Sequence, residues 1–130
     1  MRFPENLKYT KEHEWAKAEG ANTVVVGITD HAQNSLGDIV FVDLPELGRT
    51  LKAGETFGVV ESIKAVSDLY CPLSGKVSAV NTTLKEDPSQ VNRDPHASAW
   101  MIKLEVPNAS DAVASLLDHK QYAAFVETQK

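Results

Sequence analysis

The chain has 130 residues, of which 42% are hydrophobic and 24% are charged. This length predicts one domain, residues 1–130, that buries a core without disulfides or a structural metal. Thirteen Lys and Arg against 18 Asp and Glu give a net charge of −5. An acidic chain of this kind disfavours nucleic acid or an anionic membrane surface as a partner.

The single cysteine, Cys71, excludes an internal disulfide framework, and we expect a strand residue without a redox role. The first six residues carry neither an apolar signal segment nor an Arg- and Ser-rich presequence. No apolar run approaches the length that spans a bilayer. These features predict a cytoplasmic protein if the source is bacterial, with the mature form of a mitochondrial protein as the alternative.

The first part of the chain alternates short strand patterns with turns. β-branched and aromatic residues predict strands over residues 7–10, 15–18, 23–28 and 39–44. Between the last two, Asp30 is expected to cap a short helix, with Gln33 completing a capping box and Gly37 ending the helix.

The central stretch predicts a hairpin, residues 57–71, that presents one lysine at its tip. Residues 57–60 and 66–70 are strand-like, and Lys64 lies in the polar segment between them. No Gly, Asn or Pro occurs between Gly58 and Pro72, although tight hairpin turns usually contain one. The nearby carboxylates of Glu61 and Asp68 favour the ammonium form of the lysine, which argues against catalysis by the bare amine.

The second part of the chain predicts one strand, a long loop, a closing strand and a helical end. Strands are expected over residues 77–80 and 100–106, with an irregular surface loop over residues 86–99. Ser110 is expected to cap one helix, and Asp118 with Gln121 forms a capping box for a second. The predicted fold is therefore mainly β, a two-sheet sandwich or flattened barrel with short helices and a C-terminal helical flank at about residues 110–128.

Patterns of known active sites are absent from the sequence. Four histidines lack metal-ligand spacing, so we expect solvated or hydrogen-bonded surface residues: His13, His31, His96 and His119. Neither a Gly-x-Ser-x-Gly nucleophile turn nor a Gly-rich phosphate loop occurs. A displayed lysine without a catalytic constellation predicts a carrier rather than an enzyme.

The residues around this lysine resemble the lipoyl-attachment hairpin of the glycine cleavage H-protein family. Biotin carriers usually place Met on both sides of the lysine, whereas Ile63 and Ala65 flank it here. The resemblance covers nearly the whole chain in the same order, through the segments Leu7-Lys8-Tyr9, His13-Glu14-Trp15, Gly27-Ile28-Thr29-Asp30-His31-Ala32-Gln33, Gly37-Asp38-Ile39-Val40-Phe41-Val42-Asp43-Leu44-Pro45, Glu61-Ser62-Ile63-Lys64-Ala65, Ser67-Asp68, Pro72-Leu73-Ser74-Gly75-Lys76-Val77 and Trp100-Met101-Ile102-Lys103.

The resemblance implies a fold of the lipoyl-biotinyl carrier type and lipoic acid attached to Lys64 as lipoyl-lysine. It implies a shuttle that takes an aminomethyl group from glycine decarboxylase to aminomethyltransferase and electrons to dihydrolipoyl dehydrogenase. Enzymes that attach the lipoyl group are further implied partners. Tethering would give each encounter with these enzymes a high effective concentration.

The resemblance also implies roles for several acidic residues and one glycine. Glu14, Asp68 and Glu12 are expected at a cleft that protects the loaded aminomethyl group, and Glu61 and Gly75 in recognition by the lipoylating enzyme. Ser35 replaces a histidine of some relatives and receives no role. The plainer alternatives are a solvated strand face for Glu12 and Glu14, and a turn with positive φ at Gly75.

Two other functions remain open at this point. One is a relay that passes lipoyl groups to 2-oxoacid dehydrogenase complexes from the same lysine. The other is an interaction module of the same fold that carries no lipoyl group. The intact carboxylates Glu61 and Asp68 around Lys64 argue against this loss of the carrier site.

Overall fold

The computed structural model describes residues 1–129, so Lys130, the last residue of the predicted domain, lies outside the described range. Within this range the chain forms nine strands and five helices: β1 (Lys8–Tyr9), β2 (Glu14–Ala18), β3 (Thr23–Ile28), α1 (Asp30–Leu36), β4 (Ile39–Asp43), β5 (Thr50–Leu51), β6 (Thr56–Ser62), β7 (Val66–Tyr70), β8 (Gly75–Val80), α2 (Thr83–Glu86), α3 (Gln90–Arg93), β9 (Ile102–Glu105), α4 (Ala109–Ala114) and α5 (His119–Thr128). None of these helices is both long and apolar enough to cross a membrane.

Two antiparallel sheets form the body of the fold. The larger sheet has the strand order β1-β2-β3-β9-β8-β5, and the smaller has the order β4-β6-β7. Neither sheet closes on itself. The prediction of a mainly β, two-sheet fold with short helices is confirmed.

The main core lies between the two sheets and is built from alternate residues of their strands. Val24 and Val26 of β3 and Val42 and Val60 of the smaller sheet all belong to it. Val25, on the opposite side of β3, packs instead in a second cluster with the aromatic residues of β1, β2 and α5. Because both faces of β3 are covered, its sequence is continuously apolar rather than alternating.

The short helices differ from the sequence predictions at their caps. Asp30 was expected as the N-cap of α1, but Thr29 is the cap, and its Oγ1 accepts from Ala32 N at 3.2 Å. Asp30 is the first helical residue and instead accepts from Gln33 Nε2 at 2.8 Å. Gly37 ends this helix with φ of 80°, as predicted.

The last third of the chain contains more helix than predicted. The supposed irregular loop over residues 86–99 contains α3 and the last residue of α2, because Leu84 and Val91 each bury one side of a helical turn in the main core. Asn108, not Ser110, precedes α4. The capping box of Asp118 and Gln121 at the start of α5 is confirmed.

Candidate functional site

The turn between β6 and β7 is built by a serine side chain. Ser62 Oγ accepts from Lys64 N at 3.3 Å and from Ala65 N at 3.0 Å, while Ser62 N donates to Ala65 O at 2.8 Å. Among the non-glycine residues from 1 to 129, only His13 and Asn108 have positive φ, so the turn does not require Gly or Asn. A local side-chain hydrogen bond thus replaces the usual turn residues.

The tip of this hairpin is fixed against the end of α1. Ile63 N donates to Asp38 O at 3.1 Å, which ties the turn to the segment before β4. A Cβ placed on Gly37 would lie 3.5 Å from Lys64 Cε, so the lysine stem leans over this glycine. Lys64 is exposed, and within residues 1–129 its Nζ has no hydrogen bond or ion pair. The turn that carries the lysine is therefore fixed in place, and the exposed amine is open to modification.

The outer face of the smaller sheet is apolar near the lysine. Phe41, Glu61 and Val66 are direct cross-strand neighbours on this face. Phe41 is 47% exposed and Val66 is 68% exposed, and Ile63 at the tip is 70% exposed. Asp68, two residues further along β7 than Val66, opposes Val59 on the same face. Glu61 is thus half-buried between apolar neighbours beside the lysine, with Asp68 exposed behind it.

A groove follows α1 on the other side of the hairpin. Its volume is about 250 Å³, and its lining residues are Glu12, His13, His31, Ala32, Ser35, Leu36 and Ser67. The lining residues of α1 end next to Gly37, where the stem of Lys64 lies. At about 1.5 Å per helical residue, His31 lies about 9 Å from Gly37, measured along the helix axis. The groove therefore leads away from the lysine toward Glu12 and His13.

Glu14 is a buried acid that connects the two sheets. Its side chain is only 2% exposed; Oε1 accepts from Thr10 Oγ1 at 2.9 Å and Oε2 from Tyr70 N at 3.4 Å. Burial raises the pKa of Glu14 to about 8, although both hydrogen bonds lower it; the nearby carboxylate of Glu12 adds to the increase. A buried acid with this pKa is mostly protonated at neutral pH.

His13 is bound to α5 across the end of the groove. Its Nδ1 lies 2.8 Å from Tyr122 Oη, which in turn lies 2.8 Å from Thr29 Oγ1. The His13 backbone has φ of 71° and its ring packs 4.5 Å from the ring of His31, centroid to centroid. Burial, with a smaller effect from His31, lowers the pKa of His13 to about 4.

Comparisons with known proteins match this fold and sequence over almost the full length. The sequence profile of the Glycine cleavage H-protein family matches residues 7–129. The chain belongs to the glycine cleavage H-protein family.

Individual members of the H-protein family are closely similar to this chain. The glycine cleavage system H protein of Chromohalobacter salexigens is 54% identical over 128 residues, covering 98% of this chain and 97% of that protein. The H protein of Bacillus cereus strain AH820 is 57% identical over 123 residues, 95% of each chain. The crystal structure of an H protein from Mycobacterium marinum has a TM-score of 0.83 and 43% identity, covering 93% of this chain and 96% of that one.

The acidic residues expected at the H-protein cleft do not all line the groove. Glu12 is exposed and lines it, but Glu14 is enclosed between the sheets, and the solvated strand face considered for Glu14 is wrong. Asp68 lies on the outer face of β7, whereas its neighbour Ser67 faces the groove. Ser67 and His13 also line the groove, although the sequence predicted no site role for either; the alternation along β7 was the available signal for Ser67.

Gly75 lies within a strand rather than in a turn. It pairs with Leu51 at the start of β8, and it is not among the glycines with positive φ, so the turn considered for it is wrong. A Cβ at this position would lie 2.7 Å from Glu105 O of the neighbouring strand. The close approach of two backbones therefore explains the glycine.

Cys71, expected to be a strand residue, directly follows β7 and is buried. Its Sγ donates to Leu73 O at 3.0 Å. Burial raises the pKa of the thiol to about 11, which disfavours the reactive thiolate. Within the part of the chain that the structure describes, no three His, Cys, Asp or Glu residues form a metal-binding group.

Proposed function

We propose that Lys64 is the lipoyl-attachment site and that the chain is a lipoyl-bearing shuttle of the glycine cleavage system. In this role it carries the aminomethyl group from glycine decarboxylase to aminomethyltransferase, and electrons to dihydrolipoyl dehydrogenase. The observation that carries the proposal is the exposed Lys64 at a fixed hairpin tip, in a member of the H-protein family. The family is lipoyl-bearing, and the bacterial sources of the relatives support the expectation of a cytoplasmic protein.

The surroundings of Lys64 fit a long, mainly apolar arm. An amide formed at its Nζ removes the charge, and the adjoining groove offers Leu36 and Ala32 as apolar lining. When attached, the lipoyl group supplies a disulfide that takes up the one-carbon unit on sulfur and accepts two electrons. The further lining residues Glu12 and Ser67 offer a carboxylate and a hydroxyl to a cationic cargo.

The roles of the other predicted residues follow from where they lie. We propose that Glu12 attracts the cationic aminomethyl cargo in the groove, because a carboxylate there favours positive charge. Direct contacts of Glu14 and Asp68 with the cargo stay predictions, to be tested by their amide variants. We propose that the lipoylating enzyme recognises Glu61 together with the exposed Phe41 and Val66 beside it.

Gly75 is a less direct candidate for recognition by the lipoylating enzyme. It lies on β8 of the larger sheet, where its lack of a side chain allows close packing against Glu105 O. We propose that any effect of its replacement on lipoylation arises through the position of this strand. Lipoylation of the Gly75→Ala variant, compared at equal folded concentration with the parent, tests this.

Intact-mass measurement of the protein from its native host tests the attachment site. We expect a lipoyl-sized increment in the parent and in Lys52→Arg, which alters another exposed lysine, but not in Lys64→Arg. Arg keeps the charge and the long stem but cannot form the amide. An unmodified parent protein under lipoate-replete conditions would support the interaction module instead, and an increment that survives Lys64→Arg would place the attachment elsewhere.

Reconstitution distinguishes a glycine carrier from a lipoyl relay. The lipoylated protein is mixed with purified glycine decarboxylase, and the release of CO₂ from glycine is measured. Transfer of the lipoyl group to an unmodified 2-oxoacid dehydrogenase domain is measured in parallel. We expect the first activity and not the second; the reverse result would favour the relay.

A further inference from the structure

Three side chains, Thr29, Tyr122 and His13, form a chain of hydrogen bonds. The available donors and acceptors decide which group donates in each of these bonds. Thr29 is buried, and its Oγ1 already accepts from Ala32 N at 3.2 Å. The only other partner of this hydroxyl within the described residues is Tyr122 Oη at 2.8 Å. A buried hydroxyl hydrogen without an acceptor is costly, so Thr29 donates to Tyr122.

The same assignment of donors and acceptors decides which ring nitrogen of His13 carries the hydrogen. Because Tyr122 Oη accepts from Thr29, its own hydrogen is free for His13 Nδ1, which lies 2.8 Å away. Nδ1 is then an acceptor, and the ring is neutral with its single hydrogen on Nε2. A proton added at Nδ1 would face the hydrogen of Tyr122 and would require the chain to break.

The backbone prevents His13 from turning away from this partner. His13 N donates to Thr10 O at 3.1 Å, and His13 O accepts from Thr29 N at 3.0 Å. The residue has φ of 71°, a conformation that few non-glycine residues adopt without surrounding constraints. The imidazole is therefore held in place from both its backbone and its side chain.

Besides Tyr122, the charged and titratable groups around His13 come from three places: α1, the loop that contains His13, and β2. His31 of α1 packs on its ring, and Lys11 lies in the same loop, 5.7 Å from the ring of Phe125 on α5. Both disfavour a positive charge on His13. The carboxylate of Glu12 in the groove favours it, whereas Glu14 of β2 is mostly protonated at neutral pH; β7 contributes only the uncharged Ser67.

We propose that His13 is a positioning residue for the loaded arm: the hydrogen-bond chain from Thr29 and Tyr122 keeps its imidazole neutral, so that the groove admits a cationic aminomethyl cargo. This inference rests on the proposed function. Since Glu12 is the one carboxylate among the lining residues, a positive charge on His13 would cancel the attraction that it provides. The groove thus distinguishes cargo by charge only while His13 stays neutral.

The size of the effect follows from the neutral fraction of His13. With its pKa at about 4, His13 is almost entirely neutral at pH 6. Burial and His31, which cause the low pKa, remain when the hydrogen bond is lost, so the ordinary value of about 6.5 is the upper limit; at that limit roughly a quarter of the protein would keep a neutral ring at pH 6. Retention of the cargo would then weaken by up to about four-fold, in proportion to the competent fraction.

The first test uses the unmodified protein and does not depend on lipoylation. Nitrogen NMR of His13 reports its tautomer and its titration in the parent, in Tyr122→Phe and in Tyr9→Phe. Tyr9 is a matched control because its ring stacks on Tyr122 at 4.5 Å but its hydroxyl donates to Pro4 O. We expect a neutral ring protonated at Nε2 from pH 8 to about 5 in the parent and Tyr9→Phe, and titration at higher pH in Tyr122→Phe.

The second test loads the lipoylated protein with glycine and glycine decarboxylase, removes the enzyme and follows the release of ammonia as water hydrolyses the cargo. At pH 6 we expect faster release from Tyr122→Phe, in proportion to the charged fraction of His13 measured by NMR. The double variant Tyr122→Phe with His13→Asn should return to the parent rate, because Asn tolerates positive φ and cannot be charged. A merely structural role for Tyr122 would leave the double variant as fast as the single one.

Three results would overturn the inference. The first is a parent His13 that titrates near pH 6.5, and the second is a neutral ring with its hydrogen on Nδ1. The third is release from Tyr122→Phe that matches Tyr9→Phe at pH 6 while NMR detects a charged His13. Failure of the proposed function has a different signature, since the parent protein would then not be lipoylated or loaded at all.

Discussion

Replacing Glu14 by Gln removes a buried ionisable group while keeping nearly the same shape. The folded-state pKa of Glu14 is about 8, raised by burial from a model-compound value of 4.5, and its carboxyl oxygens accept from Thr10 Oγ1 and Tyr70 N. Gln retains a carbonyl oxygen for Tyr70 N and offers an amide hydrogen to the Thr10 hydroxyl. The main difference is that Gln does not titrate.

The pH dependence of stability follows from this raised pKa. A group with a higher pKa in the folded state contributes stability that is fully present below the unfolded value, near pH 4.5, and lost as the pH rises toward 8. Unfolding releases a proton in this window, so the free energy of unfolding falls by about 1.4 kcal/mol per pH unit. Between pH 5 and pH 7 the loss from Glu14 comes to about 2–3 kcal/mol.

Urea unfolding of the parent and Glu14→Gln at pH 5, 6 and 7 measures this loss. We expect the difference in unfolding free energy to move in favour of the Gln variant by about 2–3 kcal/mol across this range. Glu86→Gln is the control, because Glu86 is exposed and is not among the groups that shift the pKa of Glu14, so its difference should not follow this titration. A Glu14→Gln difference that is independent of pH would refute the argument, since the folded protein would then hold Glu14 with an ordinary pKa.

Three further substitutions test the contacts that stabilise the lysine turn and the two sheets. Ser62→Ala removes the acceptor of two turn amides and should speed hydrogen exchange at Ala65 by several-fold, corresponding to about 1 kcal/mol of local stability. Gly75→Ala should lower the urea-unfolding free energy by about 1–3 kcal/mol, because the new Cβ meets Glu105 O. Asn92→Ala should cost about 1–3 kcal/mol in the same assay by leaving the Ile39 amide without its acceptor.

Two of these substitutions, Ser62→Ala and Gly75→Ala, have a control variant in the same hairpin or strand. Ser67→Ala alters another serine of the hairpin without touching the turn, and it should leave exchange at residue 65 unchanged. Ser78→Ala changes an exposed position of the same strand as Gly75 and should have little effect on stability. Unchanged turn exchange in Ser62→Ala, or a neutral Gly75→Ala, would contradict the contacts described above.

Local sequence patterns were sufficient for most of the strands and for the region of the lysine, but not for β5 (Thr50–Leu51). The run Thr23–Ile28 is apolar enough to require cover on both sides, and it lies in the centre of the larger sheet. The strand patterns on either side of Lys64 likewise correspond to β6 and β7. Both signals depend on β-branched residues within one strand, which the sequence displays directly.

Contacts between distant parts of the chain could not be predicted in this way. Glu14 has the spacing of an ordinary strand residue, and its burial depends on Tyr70, 56 positions later. The partner of His13 is 109 positions away on α5. The helical turns at Leu84 and Val91 were missed because four-residue helices are too short for a periodic signal. Tertiary packing, rather than local preference, decides each of these cases.

The alternation of β7 explains why Lys64 can serve two surfaces. Val66 and Asp68 point to the outer face of the smaller sheet, while Ser67 opposes the buried Val60 and reaches the groove along α1. Lys64 stands where these surfaces meet, so under the proposed function an enzyme would contact the outer face while the arm lies in the groove on the other side. A shift of β7 by one residue would exchange Ser67 and Asp68 between the two surfaces. The turn hydrogen bonds of Ser62, which fix that register, are therefore as important to the site as any residue in contact with the cargo.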